Sequence, residues 1–347
     1  MALQVLIPDA KYDGPPEVET AVAREMGLDV RYDVRRVRHA AEVADDVWGM
    51  IDGLQVYHDV VVDQALIGRM ARCRIICRCG VGTDNIDLAA AAARGIPVCN
   101  VPDYGTTDVA DSAIGMLLAL RRGIGFHHGR LLRDPASHWQ QTPGPAVGRL
   151  RDSRFGVVGA GRIGQAVLRR ARALDMATGF YDPFLADGAD QAIGCERFAT
   201  LHDLLGWADA VSLHTPLTPA TRRLMDGAAL AAMRPGAVLI NTARGGCVDL
   251  DALAAALGSG HLAGAALDVL PVEPPAGHPL LAAYAAREPW LDGRLVLTPH
   301  VAFYSADSVR DIRSKASRAV LDYLSGGQAA GQARNCVNGE LLAAATA

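Results

Sequence analysis

Residues 154–168 read Arg154-Phe-Gly-Val-Val-Gly-Ala-Gly-Arg-Ile-Gly-Gln-Ala-Val-Leu168, the most informative segment of the chain. Its apolar run over 155–158 predicts a buried strand that enters the glycine turn Gly159–Gly164. Apolar residues at helical spacing come next, and a second apolar strand ends at Asp182, close to the distance of about 20 residues that a dinucleotide-binding unit requires. The pattern therefore predicts a strand, a tight turn and a helix that bind a dinucleotide.

Each glycine of the turn has a distinct physical task. Gly159 allows the sharp change from strand to helix, Gly161 lets the backbone approach a pyrophosphate, and Gly164 lets the helix pack close to the sheet. The pyrophosphate is expected on the free N–H groups at the helix N-terminus. A glycine turn with only a structural role is the competing interpretation.

Asp182 bears on which dinucleotide binds. A carboxylate at this position accepts both ribose hydroxyls of NAD and repels the 2′-phosphate of NADP. Residues 183–186 contain no Arg or Lys that could receive that phosphate, so NAD is favoured. The alternative is a loop Asp that caps a turn with Pro183.

Composition bounds the other classes of function. The chain has 347 residues, enough for about two domains, with 50% hydrophobic and 21% charged residues. A net charge of -4 gives no electrostatic footprint for nucleic acid or for an anionic membrane. We find no apolar run of bilayer-spanning length and no basic, then apolar N-terminal leader, so we expect a cytoplasmic protein. Seven cysteines without framework spacing agree with that compartment.

Three cysteines in one apolar stretch raise the question of a metal site. Cys73, Cys77 and Cys79 lie in a run that predicts a strand, where a small buried hydrophobe is expected. No second pair of ligands with zinc spacing occurs elsewhere, so we predict no metal.

Strand-like and helical patterns alternate on both sides of the glycine turn, which predicts open parallel α/β units. The first unit ends in the turn Arg78–Asp87, where glycines around Val81 can expose consecutive N–H groups to an anion. A plain tight loop is the alternative. A long helix capped by Thr107 or Asp108 then predicts a link between domains, and its apolar face can pack within one subunit or form an interface.

Three polar residues follow strands of the second unit, in the place where parallel sheets put their ligands. Arg244 precedes two glycines, and its guanidinium can pair bidentately with a carboxylate. His300 can exchange protons near neutral pH, and Glu273 can orient it and favour its protonated form. The competing interpretations are a structural salt bridge for Arg244, a turn histidine for His300 and a solvated loop carboxylate for Glu273.

These residues resemble the D-isomer-specific 2-hydroxyacid dehydrogenase family over nearly the whole chain. The resemblance is carried by six ordered blocks: Arg78–Asp87, Gly159–Gly164, Leu213–Thr218, Asn241–Gly246, Ala266–Val269 with Glu273-Pro274, and Thr298–His300. Within the family, four segments look most like the C-terminal-binding-protein branch, which includes animal corepressors: Cys99–Pro102, Val109–Ser112, Ala243–Gly246 and Pro299–Ser305.

The resemblance implies two Rossmann-like domains. A discontinuous, flavodoxin-like substrate domain would comprise residues 1–102 and 306–347, and an inserted NAD-binding domain residues 103–305. It also implies that His300 is the acid/base, Glu273 its partner and Arg244 the binder of the substrate carboxylate and carbonyl. Further cofactor positions by resemblance are Arg162, Ile163, Asp182, Thr215, Ala243, Asp268 and Val109, with Asp268 near the nicotinamide carboxamide.

The substrate side is also implied by resemblance. Val81 and Gly82 would give backbone N–H groups to the substrate carboxylate, and Phe303 replaces a Trp of the corepressors beside the substrate. We therefore predict an NAD-dependent oxidoreductase, a homodimer, that transfers a hydride between nicotinamide and a 2-hydroxy or 2-keto acid. The alternative from another class is an NAD(H)-sensing interaction protein with incidental turnover, and a formate or oxyanion dehydrogenase is a third reading.

Overall fold

The computed structural model describes residues 2–326 and 329–346, and the chain divides into two compact units. The first unit joins Met1–Gly105 to Ser305–Ala347, and the second unit is Thr106–Tyr304. Residues 103–105 and Ser305, which the sequence analysis assigned to the inserted domain, cluster with the first unit.

The first unit is built on a five-stranded sheet in which neighbouring strands run parallel. Its strands are β1 Leu3–Ile7, β2 Val30–Val34, β3 Gly53–Val56, β4 Ile75–Arg78 and β5 Val98–Asn100. The helices between them are α1 Glu17–Glu25, α2 Asp45–Met50, α3 Gln64–Arg69 and α4 Leu88–Ala93. The strand order β2-β1-β3-β4-β5 is that of flavodoxin-like sheets.

Short polar side chains begin two of these helices. The Asp63 carboxylate accepts from the Leu66 N–H at the start of α3, and Asp87 accepts from the Ala90 N–H at the start of α4. β4 is buried along its whole length, because its apolar residues meet helices on both faces.

The second unit is built on a seven-stranded parallel sheet with helices on its faces. Its strands are β6 Arg154–Val158, β7 Ala177–Tyr181, β8 Glu196–Arg197, β9 Ala210–Leu213, β10 Ala237–Asn241, β11 Leu262–Leu267 and β12 Leu295–Leu297. Its helices are α5 Thr106–Arg121, α6 Ile124–Arg133, α7 Pro135–His138, α8 Arg162–Ala173, α9 Ala189–Ile193, α10 Leu201–Trp207, α11 Gly227–Ala232, α12 Leu250–Gly258 and α13 Pro279–Ala285.

The strand order of this sheet is β12-β11-β10-β9-β6-β7-β8. The order reverses between β6 and β9, and ligands of open parallel sheets bind beside such a switch point, at the carboxyl ends of the strands. The prediction of an α/β fold with parallel, Rossmann-like sheets is confirmed.

The helix that opens the second unit starts earlier than predicted. α5 begins at Thr106, so Thr107 and Asp108 lie in its first turn rather than at its cap. Its buried face packs against α8 and the sheet.

The chain returns to the first unit through α14 Ala306–Leu324 and α15 Gly339–Thr346. The Ser305 hydroxyl caps α14 by accepting from the Ser308 N–H. Arg313 of α14 donates to both carboxylate oxygens of Glu19 in α1, at 2.8 and 2.7 Å. Among the described residues, no helix has both the length and the apolar character that crossing a bilayer requires.

Candidate active site

Most of the predicted site residues follow strands of the second sheet, at its carboxyl edge. In sheet order, His300 follows β12, Asp268 and Glu273 follow β11, Arg244 follows β10, Thr215 follows β9, the glycine turn follows β6 and Asp182 follows β7. The predicted acid/base group and carboxylate binder therefore occupy one half of the edge, and the predicted cofactor turn occupies the other half.

His300 and Glu273 form a direct pair. The imidazole Nδ1 lies 2.7 Å from the Glu273 Oε2, and the two side chains are 25% and 31% exposed. The other carboxylate oxygen accepts from the Leu270 N–H at 2.8 Å, which fixes the carboxylate. Glu273 is thus more than a solvated loop residue, and its use of Nδ1 makes Nε2 the nitrogen suited to exchange a proton with a substrate.

Asp268 organises the turn that carries His300. Its buried carboxylate accepts from the Thr298 hydroxyl at 2.6 Å and from the N–H groups of Val301 and Ala302 at 2.9 and 3.0 Å. These bonds hold a turn in which His300 has a φ of 55°, a left-handed conformation that is uncommon outside glycine. Resemblance placed Asp268 at the cofactor, and the structure adds this local task, which the sequence analysis missed.

Asn241 and Gly245 fix the loop of Arg244. The buried Asn241 side chain accepts from the Ala243 N–H at 3.0 Å and donates to the Arg244 carbonyl at 2.9 Å. A Cβ on Gly245 would lie 1.9 Å from the Leu270 carbonyl carbon, so this loop packs directly on the loop of Glu273. Because a buried Asn must be hydrogen-bonded, its place at the end of an apolar strand was the signal that could have identified it.

The Arg244 side chain is not simply extended into open space. Its Nη1 donates to the Ala243 carbonyl at 2.8 Å. The guanidinium has five donors, so this bond is compatible with bidentate binding of a carboxylate.

The glycine turn has the geometry that its sequence predicts. Gly159 has a φ of 90°, and a Cβ there would lie 2.7 Å from the His214 carbonyl oxygen. A Cβ on Gly164 would lie 2.1 Å from the Gly159 carbonyl oxygen. A Cβ on Gly161, by contrast, would meet no described heavy atom within 4 Å. Open space therefore lies beside Gly161 at the N-terminus of α8, where a dinucleotide pyrophosphate fits.

The position of Asp182 is compatible with both interpretations, the ribose-binding acid and the turn cap. Its carboxylate accepts from the Ala160 N–H of the glycine turn at 2.9 Å and from the Phe184 N–H of its own loop at 3.0 Å. It is half-buried and borders the turn, as a ribose-binding acid should. Arg197 of β8 also reaches this loop and donates to the carbonyls of Asp182 and Leu185, a contact that the local sequence does not indicate.

The remaining predicted cofactor residues differ in accessibility. Arg162 is exposed and Ile163 half-buried at the start of α8, whereas Val109 and Ala243 are 9% exposed. The Thr215 hydroxyl lies 3.8 Å from the Cys247 Sγ. Phe303, predicted beside the substrate, is half-buried.

His214 also lies at a strand end, in an environment that disfavours its protonated form. Burial lowers the pKa of His214 to about 3, and its Nε2 lies 2.9 Å from the Ser212 hydroxyl. The neutral imidazole is therefore favoured near pH 7. The backbone N–H of His214 donates to the Val158 carbonyl at 2.8 Å and so supports the sheet.

Val81 and Gly82 belong to the first unit and follow β4. Gly80 has a φ of 148°, and the Asn100 side chain donates to the Val81 carbonyl at 2.7 Å. Val81 is 40% exposed, and within residues 2–326 and 329–346 no acceptor pairs with the N–H of Val81 or Gly82. The two amides are thus presented as the anion-binding interpretation requires.

Comparison with known proteins agrees with this geometry. Residues 114–302 match the family model for the NAD-binding domain of D-isomer-specific 2-hydroxyacid dehydrogenases. The chain is 35% identical to a D-3-phosphoglycerate dehydrogenase of Bacillus subtilis over 82% of its own length and 51% of that protein. It thus spans about half the length of the curated relatives it matches.

Solved structures match over nearly the full chain. A protein of Thermus thermophilus is 33% identical with a TM-score of 0.80, covering 96% of this chain and 100% of that one. A D-lactate dehydrogenase of Aquifex aeolicus, complexed with NAD and lactic acid, is 26% identical with a TM-score of 0.79, covering 93% and 96%. With a family model matched over more than half of its residues, this chain belongs to the D-isomer-specific 2-hydroxyacid dehydrogenase family and carries the family's NAD-binding domain.

Proposed function

We propose that this protein is an NAD-dependent dehydrogenase that interconverts a small 2-hydroxy acid and the corresponding 2-keto acid. The observation that carries the proposal is the pair of His300 and Glu273, 2.7 Å apart, at the sheet edge that also bears Arg244. This reaction requires a side chain that exchanges a proton and a side chain that binds the substrate carboxylate.

The roles of the residues follow from their chemistry. Bound NADH supplies the hydride for C2 of the keto acid. His300, protonated, gives its Nε2 proton to the oxygen that becomes the alcohol, and it takes that proton back in the oxidation direction. Glu273 orients the imidazole and stabilises its charged form. Arg244 pairs with the substrate carboxylate and polarises the carbonyl, so that the substrate is held in one orientation.

Two supporting roles complete the proposal. Asp268 keeps His300 in place through the turn described above. The N–H groups of Val81 and Gly82 are further donors for the substrate carboxylate, an assignment supported by resemblance and by the absence of an acceptor for either amide among the described residues.

Asp182 supports NAD rather than NADP. Its carboxylate can accept the ribose hydroxyls, and a 2′-phosphate in its place would meet a negative charge. We expect the wild type to bind NADH more tightly than NADPH. Asp182→Ala should bring the two dissociation constants closer together. An unchanged ratio, measured by fluorescence titration, would remove Asp182 from cofactor selection.

The activity is tested with purified protein, NADH and a panel of 2-keto acids that includes glyoxylate, hydroxypyruvate, pyruvate and bulky keto acids. We expect turnover in the wild type and its loss in Arg244→Ala. Arg169→Ala, which removes an exposed arginine of α8, is the matched control and should keep activity. An inactive wild type with every acid, or full activity of Arg244→Ala, would refute the proposal.

We also propose that Phe303 limits the size of the substrate. The relatives are named for phosphoglycerate and for lactate, which differ in size and charge. We place Phe303 beside the substrate by resemblance, and expect Phe303→Ala to raise the relative kcat/KM of bulky keto acids.

The alternative, an NAD(H)-sensing interaction protein of the C-terminal-binding-protein-like branch, rests only on the resemblance of four short segments, and the comparisons give it no support. The Bacillus subtilis and Aquifex aeolicus relatives are both named as dehydrogenases. A pull-down with and without NADH, run beside the turnover assay, separates the two functions. We further propose that the protein is a cytoplasmic homodimer. Sedimentation equilibrium can measure the number of subunits.

A further inference from the structure

We propose that Cys99 and Cys336 form a reversible intramolecular disulfide that fastens residues 333–338, the C-terminal strap, to the edge strand β5. Both residues belong to the first unit, and both are free thiols in the structure. Neither cysteine is among the predicted catalytic or cofactor-binding residues, so the disulfide does not depend on the catalytic function.

The backbone brings the two cysteines into register. Cys99 and Cys336 are partners in an isolated antiparallel bridge. The Asn100 N–H donates to the Asn335 carbonyl at 3.3 Å, and the Val337 N–H donates to the Val98 carbonyl at 2.8 Å. These two bonds flank the cysteines, which are therefore a non-hydrogen-bonded pair.

Pairs of this kind have the spacing that a disulfide needs. Their Cα atoms lie about 4.5 Å apart and their side chains project to the same face. Disulfides span Cα separations of about 4.4 to 6.8 Å. Both side chains also pack in one core cluster, near Tyr323. A bond between the two sulfurs thus needs side-chain rotation without a shift of register.

Hydrogen bonds already hold the strap in the reduced state. Asn338 is buried, accepts from the Val98 N–H at 2.8 Å and donates to the Ile96 carbonyl at 3.1 Å. The Cys336 thiol donates to the Asn338 Oδ1 at 3.3 Å. The disulfide would add a covalent link to a segment that is otherwise held by hydrogen bonds and packing.

The oxidant we invoke is a low-molecular-weight disulfide such as glutathione disulfide. Cys336 is half-buried and Cys99 fully buried, so the Cys336 thiolate attacks first and one glutathione thiol leaves. The Cys99 thiolate then attacks the Cys336 sulfur and releases the second glutathione thiol. The two protein thiols are oxidised with loss of two protons, and glutathione disulfide is reduced to two thiols.

The burial of both groups sets the conditions of the reaction. Desolvation raises the pKa of Cys99 to about 12 and also raises the pKa of Cys336. Only thiolates attack, so the exchange should accelerate as the pH rises from about 7 to about 9.

The test uses the full chain with Cys195→Ser, which removes the other half-buried thiol. Of seven cysteines six then remain, and incubation with glutathione disulfide should reduce the thiol count of the denatured protein to four. Mass spectrometry should show the Cys99 and Cys336 peptides linked, and dithiothreitol should restore six thiols. A persistent glutathione adduct on Cys336 with Cys99 reduced, or six unreacted thiols, would overturn the proposal.

A matched variant and a second readout complete the test. Cys195→Ser with Cys336→Ser keeps a hydroxyl donor for Asn338, and its five thiols should stay five. Trypsin cleavage after the exposed Arg334 should be slower in the oxidised protein than in the reduced one. Linked peptides with an equal cleavage rate would contradict the fastening of the strap.

Discussion

Two strand ends of the same parallel sheet carry a histidine, one after β9 and the other after β12. Burial lowers the pKa of His214 to about 3, and its partner is the Ser212 hydroxyl. His300 is partly exposed and pairs with the Glu273 carboxylate at 2.7 Å. A place at the carboxyl edge of a sheet is therefore not enough to make an acid/base group, which also needs a neighbouring group that favours its charged form.

The largest expected effect separates the two histidines. His300→Asn should lower kcat for keto-acid reduction by about 10²- to 10⁴-fold, because the proton donor is removed. His214→Gln keeps a polar group beside Ser212 and should stay within about tenfold of the wild type. Steady-state kinetics on both variants, with circular dichroism to check folding, measures the difference. Equal losses would mean that the contrast in environment has no catalytic meaning.

Asp268→Asn tests what holds His300 in place. The side-chain NH₂ of the Asn would face a backbone N–H group that now donates to the carboxylate. Two donors repel each other, so the turn should distort and kcat should fall by about 100-fold. The control is Ser212→Ala, which removes the hydroxyl partner of His214 and should lower activity little. If Asp268 acts mainly on the turn, the dissociation constant of NADH should hold steady. A loss of NADH affinity with unchanged kcat would assign it to the cofactor instead.

Gly245→Ala tests how the loop of Arg244 is joined to the loop of Glu273. The new Cβ would collide with the Leu270 backbone at 1.9 Å, so we expect a stability loss of about 1–3 kcal/mol and reduced turnover. At Gly246 a Cβ would meet only the flexible Leu217 side chain at 3.1 Å, which makes Gly246→Ala the control. Urea unfolding measures the stability of both variants, and equal midpoints would contradict a specific contact between Gly245 and Leu270.

The smallest effect concerns the pH dependence of stability. Because its folded-state pKa of about 3 lies below the ordinary value of 6.5, His214 binds a proton more readily in the unfolded chain. Its contribution is therefore present above about pH 6.5 and is lost as the pH falls toward 3. Between about pH 6.5 and pH 5 the wild type should lose about 1.5 kcal/mol more than His214→Gln. Parallel stability curves for the two proteins would show that His214 titrates normally.

The sequence predicted those parts of the site that are encoded locally. The turn from Gly159 to Gly164 needs only its own residues and the adjoining strand and helix, and the structure shows the close approaches that its glycines allow. Arg244, Glu273 and His300 were identifiable because each follows an apolar strand, and the match to a dehydrogenase family confirms the fold.

What the sequence did not predict depends on contacts between neighbouring strand ends. The bonds of Asp268 to the turn after β12 and the contact of Gly245 with Leu270 join residues from different loops. Periodicity along one element carries no information on such contacts. The first helical residue of α5 was missed for a different, local reason, since Asp favours both the cap and the first turn of a helix.

The most direct test of the central claim follows a labelled hydride. The wild type is incubated with NADH that carries deuterium at the transferable C4 position and with each keto acid of the panel. We predict a 2-hydroxy acid with deuterium at C2, detected by mass spectrometry, and almost none from His300→Asn. Where the product is chiral, as it is from pyruvate, chiral chromatography should show the D configuration. Absence of deuterated product with every acid, or equal product from the variant, would contradict the account.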